Sequence, residues 1–245
     1  MKKLIKFFLK LIPIHFTKNM EYDALTKLII EKRCKADSNC IDIGCHKGEI
    51  LDIFLKFAKN GEHYAFEPIP VMYKMLVEKY KNLNCLIYPT ALSDKSGITT
   101  FNYVKSNPAY SGLLKREYRN ANENIEEINV ATDTLDNVIP CNILISIIKI
   151  DVEGAELQVL KGAVETIKRS KPLIIFEHGL GASEFYGSTP AKVFKLLSDC
   201  GLHIFTLKSW LSGESTLTLR EFEYQFYNKL NYYFIASPQL PLAQD

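Results

Sequence analysis

Asn39-Cys40-Ile41-Asp42-Ile43-Gly44-Cys45-His46-Lys47-Gly48-Glu49 is an apolar run that ends in an acid and passes through two glycines into a segment with helical spacing. Over 39–43 it predicts a buried strand. Over 49–59, Ile50, Leu51, Ile53, Phe54, Phe57 and Ala58 recur at the intervals of one helix face. Gly44 and Gly48 let the chain turn sharply and let a ligand approach the backbone, where the next helix offers free N–H groups. The unit is strand, glycine turn, helix. Outward from it the alternation continues, with strands predicted over 63–66, 84–88, 145–150, 173–176, 202–207 and 231–235. Helices are predicted over 70–80, opened by Pro70, over 155–169 and over 190–200. The nearly unbroken apolar runs at 145–150 and 173–176 suit strands covered on both faces. The expectation is an α/β fold with a doubly wound, mostly parallel sheet of about seven strands. It forms a single domain over 39–245, preceded by an N-terminal helical segment over 1–38. Two stretches stand outside the repeat. The first, 91–136, predicts an inserted hairpin with a mobile loop over the site; the second, 208–229, is rich in Ser, Thr, Glu and aromatics.

Composition narrows the classes. The chain has 245 residues, 47% of them hydrophobic and 24% charged, which suits one globular domain. With 30 Lys+Arg against 28 Asp+Glu it lacks the basic footprint of a nucleic-acid partner, and none is expected. The six cysteines show no paired metal-ligand spacing and several sit in apolar runs, so a reducing, cytoplasmic setting is expected. The segment 1–16 interleaves Lys2, Lys3, Lys6 and Lys10 with bulky apolar residues. It is too short to span a bilayer, for which about 20 apolar residues are needed. Lys6 and Lys10 interrupt it in a way unlike a secretory signal. Two readings stand: a peripheral helix at the inner face of the membrane, or a helix packed on its own domain or on a second subunit of a homo-oligomer.

The chemistry gathers at predicted carboxyl ends of strands. Asp42 lies at a strand end just before the glycine turn, where its charge would repel a pyrophosphate. Glu67, in Tyr64-Ala65-Phe66-Glu67-Pro68-Ile69-Pro70, follows the second strand about 20 residues after that turn, where doubly wound folds place an acid on a ribose diol. An acid capping the next helix would explain Glu67 alone but not the spacing. Lys149-Ile150-Asp151-Val152-Glu153-Gly154-Ala155-Glu156 crowds three acids at the end of a central strand. Glu153 or Glu156 is expected to serve the positive end of the next helix, and Asp151 to serve the reaction. Phe176-Glu177-His178-Gly179 ends the next strand and would bring Glu177 and His178 beside Asp151 as an acid/base cluster.

Taken in order, CIDIGCHKGE, YAFEPIP, TALSDKSGITTF, TLDNVI, KIDVEGAE and FEHG resemble the FkbM family of S-adenosylmethionine-dependent O-methyltransferases over roughly 39–179. The resemblance implies a class I methyltransferase fold, Rossmann-like, whose seven-stranded sheet ends in an antiparallel strand. It places S-adenosyl-L-methionine across the carboxyl ends of the first strands. Asp42, Gly44 and Gly48, with Cys45 and His46 between the glycines, would line its methionine and ribose parts. Glu67, with Pro68 beside it, would hold the ribose diol, and Ala91, Leu92 and Ser93 would lie near the adenine. Asp151 and Glu153 match the acidic motif near the methyl acceptor. Cys45 and His46 depart from the small residue and Asn usual after the first glycine. The implied reaction is methylation of a hydroxyl on a carbohydrate or related small-molecule or glycan acceptor, with Asp151 or His178 as base and Glu177 orienting His178 or binding the acceptor. Tyr110, Ser111 and Gly112 of the insertion are candidate acceptor contacts. A metal-free reaction is the first reading, and Mg²⁺ among Asp151, Glu153 and Glu177 the second. Two rivals share the fold: a methyltransferase-like binding protein without turnover, and an NAD-dependent oxidoreductase, which would need the pyrophosphate loop missing here.

Overall fold

In a computed structural model of the protein, residues 17–115 and 124–238 are described. The segment 1–16 and part of the expected mobile loop lie outside them. The core is a seven-stranded sheet of β1 (Cys40–Ile43), β2 (His63–Phe66), β3 (Cys85–Tyr88), β7 (Ile147–Ile150), β8 (Leu173–Glu177), β9 (His203–Thr206) and β10 (Tyr233–Ser237). Its order is β3-β2-β1-β7-β8-β10-β9, and β10 runs antiparallel to both neighbours. The reversal of strand order between β1 and β7 opens the crevice in which open α/β sheets bind ligands. Cys40 to Ile43 pair in parallel with His63 to Phe66 on one side and with Ile147 to Ile150 on the other, so Asp42 sits directly beside Lys149.

β1, β2 and β7 are buried throughout, as strands sandwiched between helical layers must be. One layer contains α1 (Lys18–Arg33) and α2 (Glu49–Phe57), whose Leu25, Ile29, Ile30, Leu51 and Phe54 pack with Ile147, Ile175 and Ile235. The N-terminal helix therefore shares the core of the domain. α3 (Pro70–Tyr80) follows β2 with proline in its first turn, where a missing N–H costs nothing. α4 (Leu135–Val138) is a short helix after the insertion.

Three stretches differ in detail from the sequence expectation. The helix expected over 155–169 is two helices, α5 (Glu156–Lys161) and α6 (Val164–Ser170). Gly162 lies between them, at a point where a Cβ would stand 2.1 Å from the Ser93 carbonyl oxygen, so only glycine fits. Beyond α7 (Pro190–Asp199), the stretch 208–229 folds largely as α8 (Leu207–Ser212) and α9 (Leu219–Tyr227). Thr206 with Ser209 and Thr218 with Glu221 make reciprocal capping boxes, a start signal readable in the sequence. The insertion forms a second sheet, ordered β4 (Thr90–Leu92), β6 (Ile125–Asp133), β5 (Gly97–Val104). Its β5–β6 pair is the expected antiparallel hairpin, and β4 adds a parallel edge. All six cysteines are free thiols, with Cys40, Cys45 and Cys200 buried. Among the described residues no helix is long and apolar enough to cross a membrane.

Candidate active site

A cavity of about 340 Å³ opens at the carboxyl ends of β1, β2 and β7, a volume in the ordinary range for small-ligand pockets, roughly 300–1,000 Å³. Its floor is the turn after β1. Gly44 has φ +78°, and a Cβ there would stand 1.9 Å from the Asp151 carbonyl oxygen. Only glycine lets the ends of β1 and β7 approach so closely. His46 is also left-handed, at φ +48°, and its N–H donates to Glu67 Oε2 at 2.9 Å. The Ile69 N–H donates to the other oxygen, Oε1, at 2.9 Å. Two backbone donors thus fix the Glu67 carboxylate, and each oxygen keeps a lone pair for a ligand hydroxyl.

Burial dominates the electrostatics. Desolvation pushes Asp42 and Glu67 up to about 7 each; the Lys149 ammonium opposes the rise at Asp42, and the two backbone donors oppose it at Glu67. Asp42 Oδ2 is buried without a protein partner. An unpaired carboxylate oxygen on a cavity wall fits a ligand that brings hydrogen-bond donors or positive charge.

Lys149, 4% exposed, is the cation of the site. Its Nζ donates to Asp151 Oδ2 at 3.0 Å and to the Tyr233 hydroxyl at 3.3 Å, and it lies 4.6 Å from the Tyr233 ring centre. The Tyr233 hydroxyl donates to the same Asp151 oxygen. Although desolvation opposes it, Lys149 and the surrounding donors hold the Asp151 carboxyl below its usual range. Glu177 hydrogen-bonds Asp151, and burial beside that anion pushes Glu177 well above the carboxylate range. Asp151 is therefore the anion of the pair and Glu177 the neutral acid. The turn carrying Asp151 is held from behind: Glu156 Oε1 accepts from the Val152 N–H at 3.2 Å and from the Gly154 N–H at 3.0 Å. This locks Glu153 at φ +58° and gives Glu156 the structural duty expected of one of these acids.

Asp42, Gly44, Cys45, His46, Glu67, Pro68, Ala91, Leu92, Ser111, Asp151 and Glu153 all line the cavity. Six other candidates, Gly48, Ser93, Tyr110, Gly112, Glu177 and His178, do not. Gly48 caps α2 with its Cα against the Tyr80 hydroxyl, so its missing side chain serves helix packing. Ser93 is buried, its N–H bonded to the Asp133 carbonyl. Tyr110 sits in a 3₁₀ turn whose neighbours Ala109 and Ser111 take the wall positions, and Ser111 Oγ is engaged by the Val104 N–H. Glu177 acts behind Asp151. His178 is fully buried, its ring 4.7 Å from that of Phe226, and desolvation lowers it to about 4. Alternation along β8 turns it into the core while Glu177 faces the site. His178 thus stands apart from the cluster expected to hold it.

The wall also contains residues that the sequence reading did not single out. Tyr22, Asp23 and Thr26 come from α1, Phe101 and Leu113 from the insertion, and Lys149 and Tyr233 from β7 and β10. Lys149 had a visible signal, a lone cation inside the apolar run Ile147-Ile148-Lys149-Ile150. Tyr233 had none, because only the pairing of β10 with β8 brings it opposite Glu177.

One carboxylate oxygen from each of Asp151, Glu153 and Glu177 lies within 4.8 Å of the others, close enough to ligate one ion. The Lys149 ammonium pairs with the Asp151 carboxylate at 3.0 Å, so a divalent cation there would compete with it for that oxygen.

The strand order with its antiparallel last strand, and a cavity at the switch point built on a glycine turn and a buried acid, define the class I methyltransferase fold. The sequence profile described as "Methyltransferase FkbM domain" matches residues 42–204. The chain belongs to the FkbM methyltransferase family. No curated protein sequence matches it. Among solved structures, the methyltransferase FkbM of Methylobacillus flagellatus KT aligns with a TM-score of 0.52 at 15% identity, over 83% of this chain and 44% of that one. A SAM-dependent methyltransferase of Aquifex aeolicus aligns with a TM-score of 0.42 at 14% identity, over 86% of this chain and 88% of that one. The present chain thus spans less than half of the Methylobacillus protein. The likeness to the Methylobacillus protein at 15% identity speaks to fold, not to substrate.

Proposed function

We propose that this protein transfers the methyl group of S-adenosylmethionine to a hydroxyl oxygen of a carbohydrate or related small-molecule acceptor. The reading is carried by the convergence of Glu67, the Gly44 turn and Asp151 on one cavity. The cofactor supplies an electrophilic methyl on a sulfonium. Glu67 accepts the two ribose hydroxyls, Asp42 Oδ2 takes a ligand donor, and Ala91, Leu92, Ile69 and Phe101 give the adenine an apolar slot. Asp151 orients the acceptor hydroxyl and receives its proton as the oxygen–carbon bond forms and the carbon–sulfur bond breaks. Lys149 and Tyr233 hold Asp151 in position, and neutral Glu177 limits the negative charge around it. Positioning supplies most of the acceleration, because the displacement needs alignment more than covalent help.

Incubation with methyl-labelled cofactor and a panel of sugar nucleotides and glycans tests the reading. Label that survives mild base as an ether is expected. Label only in esters or amines, or no transfer to any acceptor despite cofactor binding, would sink it. Turnover unaffected by a chelator is expected, since Lys149 does the work of a cation at Asp151; chelator-sensitive turnover restored by Mg²⁺ would favour the metal reading.

Two predictions concern the cofactor. Glu67→Ala removes two hydrogen bonds to a carboxylate, each about 1.5–3 kcal/mol, so calorimetric titration is expected to show affinity weakened by about 100-fold or more. An unchanged affinity would remove Glu67 from the ribose site. Asp42 and Glu67 ionise near their ordinary values, around pH 4, in the unfolded chain but at about 7 in the folded one. Between these limits the folded state binds more protons, so their contribution to stability is greatest below pH 4 and is lost as pH rises through 7. A cofactor that donates hydrogen bonds to them prefers the ionised forms. The cofactor-induced rise in melting temperature is therefore expected to be larger at pH 8 than at pH 6. Equal or reversed shifts would contradict this.

A further inference from the structure

We propose that Cys34 and Cys40 form a reversible oxidation site, at which a hydroperoxide joins the two thiols in an internal disulfide. Their sulfurs lie 3.9 Å apart across the turn that connects α1 to β1. Cys34 is the cap residue of α1; its N–H still donates to the Ile30 carbonyl at 2.8 Å, but its ψ of 137° takes the chain out of the helix. Cys40 is the first residue of β1 and is fully buried. The turn between them is tied to itself and to its surroundings. The Lys35 N–H donates to Ser38 Oγ at 3.0 Å, the Ser38 N–H to the Lys35 carbonyl at 3.1 Å, and the Asn60 N–H to the Ala36 carbonyl at 2.8 Å. Asn39 Nδ2 donates to the Leu144 carbonyl at 3.0 Å. The backbone thus holds the two sulfurs near each other before any reaction. A disulfide needs an S–S distance of about 2.05 Å, so the gap to close is about 2 Å, on the scale of a side-chain rotation.

The two thiols have unequal roles. Cys34 is half-buried and within reach of a small oxidant, whereas Cys40 is closed off from solvent. The contact with Cys40 holds Cys34 below the ordinary thiol value although burial opposes it, and the Arg33 guanidinium helps. The same contact, together with burial, pushes Cys40 far above that value. The Cys40 S–H also has the Ser38 carbonyl in reach at 3.7 Å. A partly exposed sulfur with anionic character beside a protonated second thiol is the arrangement of a peroxide-reactive cysteine and its resolving partner.

In the first step the Cys34 thiolate attacks one oxygen of the hydroperoxide. The S–O bond forms, the O–O bond breaks, and the leaving oxygen takes up the proton that Cys34 released, as water or an alcohol. In the second step the Cys40 sulfur attacks the Cys34 sulfenic sulfur. The S–S bond forms, the S–O bond breaks, and hydroxide leaves with the Cys40 proton as water. Two electrons pass from the sulfurs to the peroxide, and a dithiol reductant reverses the change. The bond ties the helix that gives Tyr22 and Thr26 to the cavity to the strand that carries Asp42. This site stands independently of the methyl-transfer reading.

Treatment of the folded full chain with hydrogen peroxide tests the proposal, in a Cys141→Ser background because Cys141 is exposed. One internal disulfide is expected, with the mass lower by two hydrogens and both thiols restored by a dithiol. Cleavage after Lys35 and before Asp42 puts Cys34, Cys40 and Cys45 on separate peptides, and the linked pair is expected to be Cys34–Cys40. Cys34→Ser is expected to lose thiols about tenfold more slowly, or slower still. Cys40→Ser is expected to stop at the Cys34 sulfenic acid, which dimedone captures. Because Cys40 is buried and its replacement can disturb the fold, the peptide map of the chain that keeps both cysteines is decisive. Oxidation without a bond, a bond between any other pair, a Cys34–Cys40 bond that forms only in urea, or an equal rate in Cys34→Ser overturns the proposal.

Discussion

Asp151→Asn is expected to lower kcat by about 10²- to 10⁴-fold, the loss typical of a positioned acid–base group, with cofactor affinity nearly unchanged. Asparagine matches aspartate in size and keeps an oxygen for the Tyr233 hydroxyl, so the acceptor is still oriented in part. What disappears is the charge that receives the hydroxyl proton. The substitution also leaves Lys149, 4% exposed, without its ion-pair partner. Removing one member of a fully buried pair costs about 3–5 kcal/mol. Here the Asp151 side chain is 31% exposed to the cavity and Asp42 stands beside Lys149, so about 1–3 kcal/mol is expected after screening. Thermal unfolding beside steady-state kinetics separates the two effects. Tyr233→Phe refines the test, since it leaves every charge in place and removes one hydrogen bond from Asp151; a fall in kcat of about tenfold is expected. Undiminished turnover in Asp151→Asn would take the proton-accepting role from this residue.

Gly44→Ala is expected to destabilise the fold by about 3–5 kcal/mol and to abolish measurable cofactor binding. Left-handed backbone at φ +78° costs an alanine about 1–2 kcal/mol. The larger part is steric: the added carbon meets the Asp151 carbonyl at 1.9 Å, and a backbone atom cannot swing aside as a side chain can. The Asp151 N–H donates to the Ile43 carbonyl at 3.0 Å, so relief requires breaking the last hydrogen bond between β1 and β7. That bond sits where the sheet changes direction, and the cofactor floor moves with it. Gly48→Ala makes a useful contrast. Its φ is equally positive, but its added carbon meets the Tyr80 hydroxyl, away from the cavity. Stability is expected to fall while the folded fraction keeps its cofactor affinity. Urea unfolding with and without S-adenosylmethionine reads both variants; a Gly44→Ala protein with normal stability and binding would remove the close approach from the account of the site.

The expected strands at 63–66, 84–88, 145–150 and 173–176 appear with only small changes at their ends; all but the edge strand at 84–88 are buried on both faces, which demands apolar runs that local periodicity reveals. The expected helix over 155–169 is interrupted at Gly162, where the Ser93 carbonyl leaves no room for a side chain, a contact that helical spacing cannot foresee. The capping boxes at Thr206 and Thr218 were readable and mark α8 and α9, in a stretch set aside only for its polar composition.

Asp42, Gly44, Glu67 and Asp151 could be read from the amino-acid order because each stands beside a strand end or turn whose local pattern announces it. Local pattern also defines the parallel sheet and the glycine turn. The sorting of neighbours required the tertiary fold: Tyr233 joins Asp151 from a distant antiparallel strand, Tyr22 and Thr26 arrive from a helix before the first strand, and His178 points into the core beside Phe226. The physical reason is range. Hydrophobic periodicity and turn chemistry act over a few residues, whereas the company a side chain keeps depends on which strands pair and which face each presents.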